Sequence, residues 1–397
     1  MQLKAGKKIW KYFENLIFIG SFGYIVYAWY NGLFQYILLT FQGKGFIEDF
    51  TKPMKTKEYY ITFLSVVALF ISVFTVWEIF LLVLEGFRKY KADKGIAKAV
   101  SIFKYVAKCF KAIFLAAMVS EFLPRLIMID IFWRVQPLFN NLSLYKTNFA
   151  WYSWIYAYLV WELSTWVWHY STHRVRILWC LHSPHHAPED LTMTTAWVHF
   201  FAEGYYTAFV QWFILALLGV QPKMLLAIMS IEVTWGTFIH AGERTLKTGR
   251  LGFLKHLIIT PSHHRVHHAK NPLYMDTNFC TFLPFWDWMF GTLQPLRDEV
   301  KIEYGITRKI DITSFMDFYF GEIRLLFKDV KNEKIFKNKL LYLIKPPGWL
   351  PESAEHTAAI VRGNFLKENP QLNNTSRRWL MRKRKIQKPA ESDLVTG

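Results

Sequence analysis

From Leu16 to Leu39 the chain carries no Asp, Glu, Lys, Arg or His, and this run limits the fold more than any other feature. A helix needs about 20 apolar residues to cross a hydrocarbon core, and this stretch supplies them. Tyr59 to Leu84 supplies a second run, with Glu78 as its one acid. Residues 205–240 hold two apolar stretches separated by Gly219 and Pro222, which predicts a helical hairpin. Tyr152 to Trp168 is rich in the aromatic residues favoured at bilayer interfaces. Ala112 to Trp133 is a weaker span, because it contains Glu121, Arg125 and Asp130. With 52% apolar and 18% aromatic residues overall, the expected fold is an all-α integral membrane protein. The expectation is a bundle of about four to six transmembrane helices.

The net charge of +18 fits either nucleic acid or an anionic membrane surface, and its distribution favours the second. Eight cations between Arg88 and Lys111 directly follow the second span, where the positive-inside rule keeps them in the cytoplasm. A second basic cluster runs from Arg377 to Lys388, and neither cluster accompanies a nucleic-acid recognition motif. The basic N-terminus lacks a small-residue cleavage site and reads as a retained anchor. Cys109, Cys180 and Cys280 are isolated, which fits a reducing compartment. Three regions are expected: an N-terminal membrane region over 1–140, a catalytic region over 141–296 and a basic, partly disordered cytoplasmic tail over 297–397.

The chemistry concentrates in 13 histidines. His169 and His173 are four apart on a predicted helix, so both rings share one face. His182, His185 and His186 follow in an H-x-x-H-H pattern, repeated at His264, His267 and His268. On a helix starting after Thr260, the last three fall within an arc of roughly 100°. His263 lies beside that arc, and the repeated pattern makes His264 the candidate ligand. Pro184 and Pro188 argue against a regular helix through the middle motif. His199, His256 and His356 read as hydrogen-bonded core residues. So many imidazoles near a bilayer should be neutral and metal-bound, and they exceed what one ion of about four to six ligands requires. Spacing alone does not name the metal.

With these motifs the chain resembles the membrane-bound fatty acid hydroxylase and sterol desaturase superfamily. "TPSHHRVHHAKNP", followed by "DTNF" and "FWDWMFGT", is most similar to its alkylglycerol monooxygenase branch. The resemblance covers residues 150–296 and implies a cytosolic helical cap, on the transmembrane bundle, holding a histidine-rich dinuclear metal site. It implies that His169, His173, His182, His185, His186, His264, His267 and His268 are catalytic iron ligands on the cytoplasmic face, with His240 as an additional ligand. Some relatives carry another histidine a turn later, where this chain has Glu243 and Arg244; whether Glu243 or His263 takes that place stays open. Asp276, Asn278 and Asp287 are expected to serve as caps and loop hydrogen-bonding groups. Glu162, seven residues before His169, is expected to hydrogen-bond a ligand histidine.

The resemblance further implies two non-haem iron ions, O2 as co-substrate and hydroxylation or desaturation of a membrane lipid. That lipid would be an ether glycerolipid, a sterol, a carotenoid or other isoprenoid, or an acyl chain. Electrons must come from a separate ferredoxin or cytochrome, since the chain has no dinucleotide, haem or iron–sulfur motif. The alkylglycerol branch also implies tetrahydrobiopterin. The rival class is a metal transporter or non-catalytic metal-binding membrane protein, which would line its spans with His and Asp instead of grouping ligands at span ends.

Overall fold

The computed structural model describes residues 150–220 and 222–372, parts of 100–148, and isolated positions before residue 100. Nearly all of the expected spans at 16–39 and 59–84, most of 112–133, five of the eight cations of the first basic cluster and the Arg377–Lys388 cluster lie outside the described residues.

Helix α1, Trp151–Arg174, is anchored at its start by Asn148, whose side-chain oxygen accepts from Ala150 N at 3.0 Å and from Ser153 Oγ at 2.7 Å. It ends at Val175, where the backbone turns extended and leads into α2, Arg176–His186. The expected hairpin forms as α3, Glu203–Leu217, and α4, Pro222–Ile239. Gly219 turns the chain at φ 72°, and Pro222 opens α4, where its missing N–H costs nothing. Ala157 and Trp161 of α1 bury themselves against Leu215 of α3 and Met224 and Ile228 of α4, fixing the three helices as one layer.

No described helix is long and apolar enough to cross a membrane. The reason differs by element. At 24 residues, α1 would measure about 36 Å, but its second half carries Ser164, Thr165, His169, Thr172, His173 and Arg174. At 15 residues α3 falls short, and the 18-residue α4 contains Lys223 and Glu232.

Helix α2 runs through Pro184, contrary to the expectation of no regular helix there. Proline deprives the Cys180 carbonyl of its usual donor, and Ser183 Oγ lies 3.5 Å from that oxygen as a substitute; with the disruption two residues from the helix end, the helix survives. Helix α5, Pro261–His267, starts from the N-cap Thr260, whose side chain pairs with His263. The short α6, Phe285–Phe290, stops at Gly291, with φ 74°. Beyond it, α7, Phe315–Asn332, α8, Phe336–Ile344, and α9, Ala358–Glu368, occupy the region read as a tail. They are integrated into the fold: Phe315 and Tyr319 pack with Trp197, Phe200 and the helical segment 107–116, and Arg362 donates to Leu273 O at 2.9 Å. The described residues contain no strand, only isolated bridges such as Ala269 with Tyr304.

Candidate metal centre

The three histidine motifs reach one place from three directions. Four residues apart near the end of α1, His169 and His173 share a face; α2 contributes His182, His185 and His186; α5 and its C-cap contribute His264, His267 and His268. His240 joins them from the residue after α4. All nine are buried.

Their ligand atoms sort into two adjoining groups, each with all its atoms within 4.8 Å of one another. His169, His173, His182, His186 and His267 form the first; His185, His240, His264 and His268 form the second. The groups touch where His186 stacks on His268, ring centroids 4.4 Å apart.

Ring orientation gives the arrangement its chemistry. Backbone carbonyls can only accept, so an imidazole nitrogen held against one carries the proton and leaves the other nitrogen as a bare lone pair. Nδ1 of His169 donates to Phe279 O at 2.9 Å, His267 to Thr277 O at 2.8 Å, His185 to Thr195 O at 3.1 Å and His240 to Gly236 O at 2.6 Å. Glu203 takes the same role for His182, at 2.7 Å. The Nε2 atoms of His185 and His240 then face each other at 3.2 Å, two lone pairs with no proton between them. Nε2 of His169, His173 and His267 is buried without a hydrogen-bond partner. At about 1–3 kcal/mol for each unsatisfied group, three would cost roughly as much as the net stability of many domains, about 5–15 kcal/mol. A shared cation removes the cost, and the donor set fits one in each group.

Protonation is no substitute. Burial, reinforced by neighbouring imidazoles, holds His169, His182, His185, His186, His264, His267 and His268 well below the usual histidine range. Neutral imidazole is the form that binds metal.

The loop after α5 aims two of these rings. Thr277 O and Phe279 O lie two residues apart, flanking Asn278 at φ 58°, a left-handed conformation that Asn tolerates. Asn278 donates to His263 O and Gln294 O and accepts from Gln294 N, while Asp287 accepts from Phe279 N and Cys280 N. The loop roles expected for Asn278 and Asp287 are thus observed. Asp276 pairs with Arg174 at 3.0 Å and lies 3.5 Å from His173 Nδ1. Burial raises its carboxyl, but the hydrogen bonds and charges of His173 and Arg174 outweigh that and hold it below the usual range.

Glu162 has a different role from the one expected. Its carboxylate accepts from the N–H groups of Thr281, Phe282 and Leu283 at 2.7–3.2 Å, tying the loop to α1, and these bonds occupy it. Besides Asp276 beside His173, the acid that meets a histidine of the cluster is Glu203, which accepts from His182 and also from His199 Nδ1 at 2.9 Å. His199 in turn stacks on His185, centroids 4.4 Å apart. The i,i+4 pairing of His199 with Glu203 at the start of α3 was visible in the sequence, but nothing there joined it to His182.

Neither candidate for the extra position enters either group. The Glu243 carboxylate accepts from the Tyr304 hydroxyl at 2.8 Å on the surface, and His263 Nδ1 is 3.0 Å from Thr260 Oγ1. His256 and His356 are exposed, not core residues: one ends the surface 3-10 turn Gly252–His256, and the other precedes α9.

A cavity of about 220 Å³ opens beside the histidines. His169, His182, His185, His240 and His264 form one side of it; Trp161, Trp168, Trp197, Val233 and Ile239 give it apolar walls.

Residues 154–292 match the family model described as Fatty acid hydroxylase. The alkylglycerol monooxygenase of Xenopus tropicalis is 32% identical over 179 residues, covering 45% of this chain and 38% of that protein. The Homo sapiens alkylglycerol monooxygenase is 31% identical over 179 residues with the same coverage. Very-long-chain aldehyde decarbonylase GL1-7 of Oryza sativa subsp. japonica is 28% identical over 134 residues, 30% of this chain and 19% of that protein. The chain therefore spans less than two fifths of the length of these curated relatives. No solved structure gives a significant match.

Proposed function

Because residues 154–292 belong to the fatty acid hydroxylase family and resemble the alkylglycerol monooxygenases, we propose that the chain is a membrane-bound, O2-dependent lipid oxidoreductase with a non-haem di-iron centre. The observation that carries this reading is the gathering of nine buried imidazoles into a group of five and a group of four, with Nδ1 of His169, His182, His185, His240 and His267 held by acceptors so that Nε2 is left as the lone pair. His169, His173, His182, His186 and His267 would hold one iron, and His185, His240, His264 and His268 the other. When bound, the irons supply the reduction of O2 that oxidises an unactivated C–H bond, giving an alcohol or, by loss of a second hydrogen, an alkene.

The protein's own contribution is positioning. Carbonyls at Thr195, Gly236, Thr277 and Phe279 and the Glu203 carboxylate keep five of the nine rings in one tautomer and orientation. Glu203 also brings negative charge to a ligand set that has none of its own. The tryptophan-walled cavity takes an apolar chain and keeps water from the reacting carbon.

The substrate is a membrane lipid: an ether lipid in the alkylglycerol reading, with sterols, carotenoids and acyl chains as the alternatives. The long uncharged runs before residue 85 support anchorage in a bilayer, with the centre on the cytoplasmic face and 141–296 as the catalytic region. A separate ferredoxin or cytochrome delivers the electrons, and tetrahydrobiopterin is the reductant that the alkylglycerol branch adds.

Metal analysis of the purified chain tests the centre, with about two irons per chain expected. A single labile zinc would instead favour a transporter or a non-catalytic metal protein. Comparing the lipids of a deletion strain with its parent by mass spectrometry tests the reaction. Loss of an oxygen-bearing or newly unsaturated lipid is expected, and unchanged lipids under oxygen would overturn the assignment.

A further inference from the structure

Glu232, Gly236 and His240 fall four residues apart along α4 and the position after it, so one side of the helix presents a carboxyl, a gap and an imidazole in that order. All three line the cavity. Eight residues of helix separate its ends by about 12 Å. Oε1 of Glu232 accepts from the Tyr158 hydroxyl at 2.5 Å, and the residue is only 8% exposed. The neighbouring acid, Glu162, is committed to the backbone of 281–283, which leaves Glu232 as the acid that lines the apolar cavity. Tyr158, with Trp161 and Thr281 close by, already partners this carboxyl, and a carboxylate keeps acceptor sites for a further donor entering from the cavity. Gly236 is equally telling. A Cβ there would meet Thr281 Cγ2 at 3.6 Å, an ordinary contact, so packing does not demand glycine. Glycine inside a helix is destabilising relative to alanine, and what it provides here is room in the cavity one turn before His240.

We propose that this side of α4 is a substrate rail. The free hydroxyl of a long-chain alcohol donates to Glu232, the chain crosses Gly236, and a carbon about 12 Å from that hydroxyl lies beside His185, His240 and His264. The class recognised is an amphiphile bearing a free hydroxyl, in preference to its ether-capped form. The oxidation of that carbon rests on the di-iron reading; recognition of the hydroxyl does not.

The test measures equilibrium binding of dodecanol and dodecyl methyl ether to the detergent-solubilised full chain, with zinc supplied in place of iron so that nothing turns over. The wild type should bind the alcohol at least about tenfold more tightly. Glu232→Leu should reduce that preference below about twofold while leaving the ether's affinity unchanged, which also shows that the variant folds; Gly236→Leu should weaken both ligands by about tenfold or more. Equal binding of the two ligands by the wild type, or an undiminished preference in Glu232→Leu, overturns the inference. A retained preference in a chain that oxidises no lipid upholds the rail and removes the oxidase.

Discussion

The two histidine groups touch each other yet are built differently. The five-member group is accompanied by carboxylates: Glu203 accepts from His182, and Asp276 lies beside His173. In the four-member group, His185 and His240 are oriented by neutral carbonyls, those of Thr195 and Gly236. The four-member group also has the larger share in the cavity, through His185, His240 and His264, against His169 and His182 from the other. One group thus has a spare donor and nearby negative charge, and the other has the smaller donor set and the larger share of the cavity wall. A metal in the first should be held tightly; one in the second is the more exposed to loss.

Deleting a ring should separate the groups most. In His240→Ala the four-member group keeps three donors, so iron should fall from about two per chain toward one, and lipid oxidation should drop by more than the roughly 100-fold seen when a ligand's hydrogen-bond partner is lost. His173→Ala leaves four donors in its group and should retain nearly full iron. Elemental analysis of the two variants side by side decides the matter, and equal loss from both would end the distinction.

Glu203→Gln removes the charge but keeps the shape. Iron affinity at the five-member group should weaken by about 10–100-fold, read by chelator competition, while the other group keeps its metal. Asp276→Asn should do less, because Asp276 already shares its charge with Arg174.

Acidification acts on both groups. The metal-free chain holds seven of these histidines well below their unfolded pKa of about 6.5. Below that pH the unfolded chain binds protons that the folded chain refuses, so stability is full above about pH 6.5 and falls as the pH drops toward the folded values. Thermal melts of metal-free protein from pH 7.5 to 5 should show a steadily falling midpoint. The iron-loaded protein should resist until the metal leaves, and a flat metal-free profile would mean that the imidazoles are not buried as described.

The smallest effect is expected outside both groups. His263→Ala removes a side chain that caps the start of α5 and should cost about 1 kcal/mol of stability with no change in iron content. Loss of iron from this variant would place His263 among the ligands after all.

Much of the centre could be read from the chain. Two H-x-x-H-H motifs and an i,i+4 pair are local patterns, and local helix geometry already sets their rings on common faces. His240 came from resemblance alone. What escaped was nonlocal: Glu203 meets His182 across 21 residues, and Glu162 is claimed by backbone N–H groups some 120 positions away. The helix through Pro184 also eluded the chain pattern, because a hydroxyl one residue earlier offsets part of the lost bonding.

By itself, the amino-acid sequence determined the hairpin around Gly219 and Pro222 and the grouping of the paired histidines on common helix faces, since each follows from backbone restriction or from side-chain type within a few residues. Only the tertiary structure decided how nine rings divide into five and four, which carboxylates attend them and where the cavity opens. Apart from the His240–Gly236 pair, which lies within one helix turn, those depend on which distant carbonyl or carboxylate lies within about 3 Å of a given Nδ1, a distance set by the packing of α1, α2, α4 and α5 against one another.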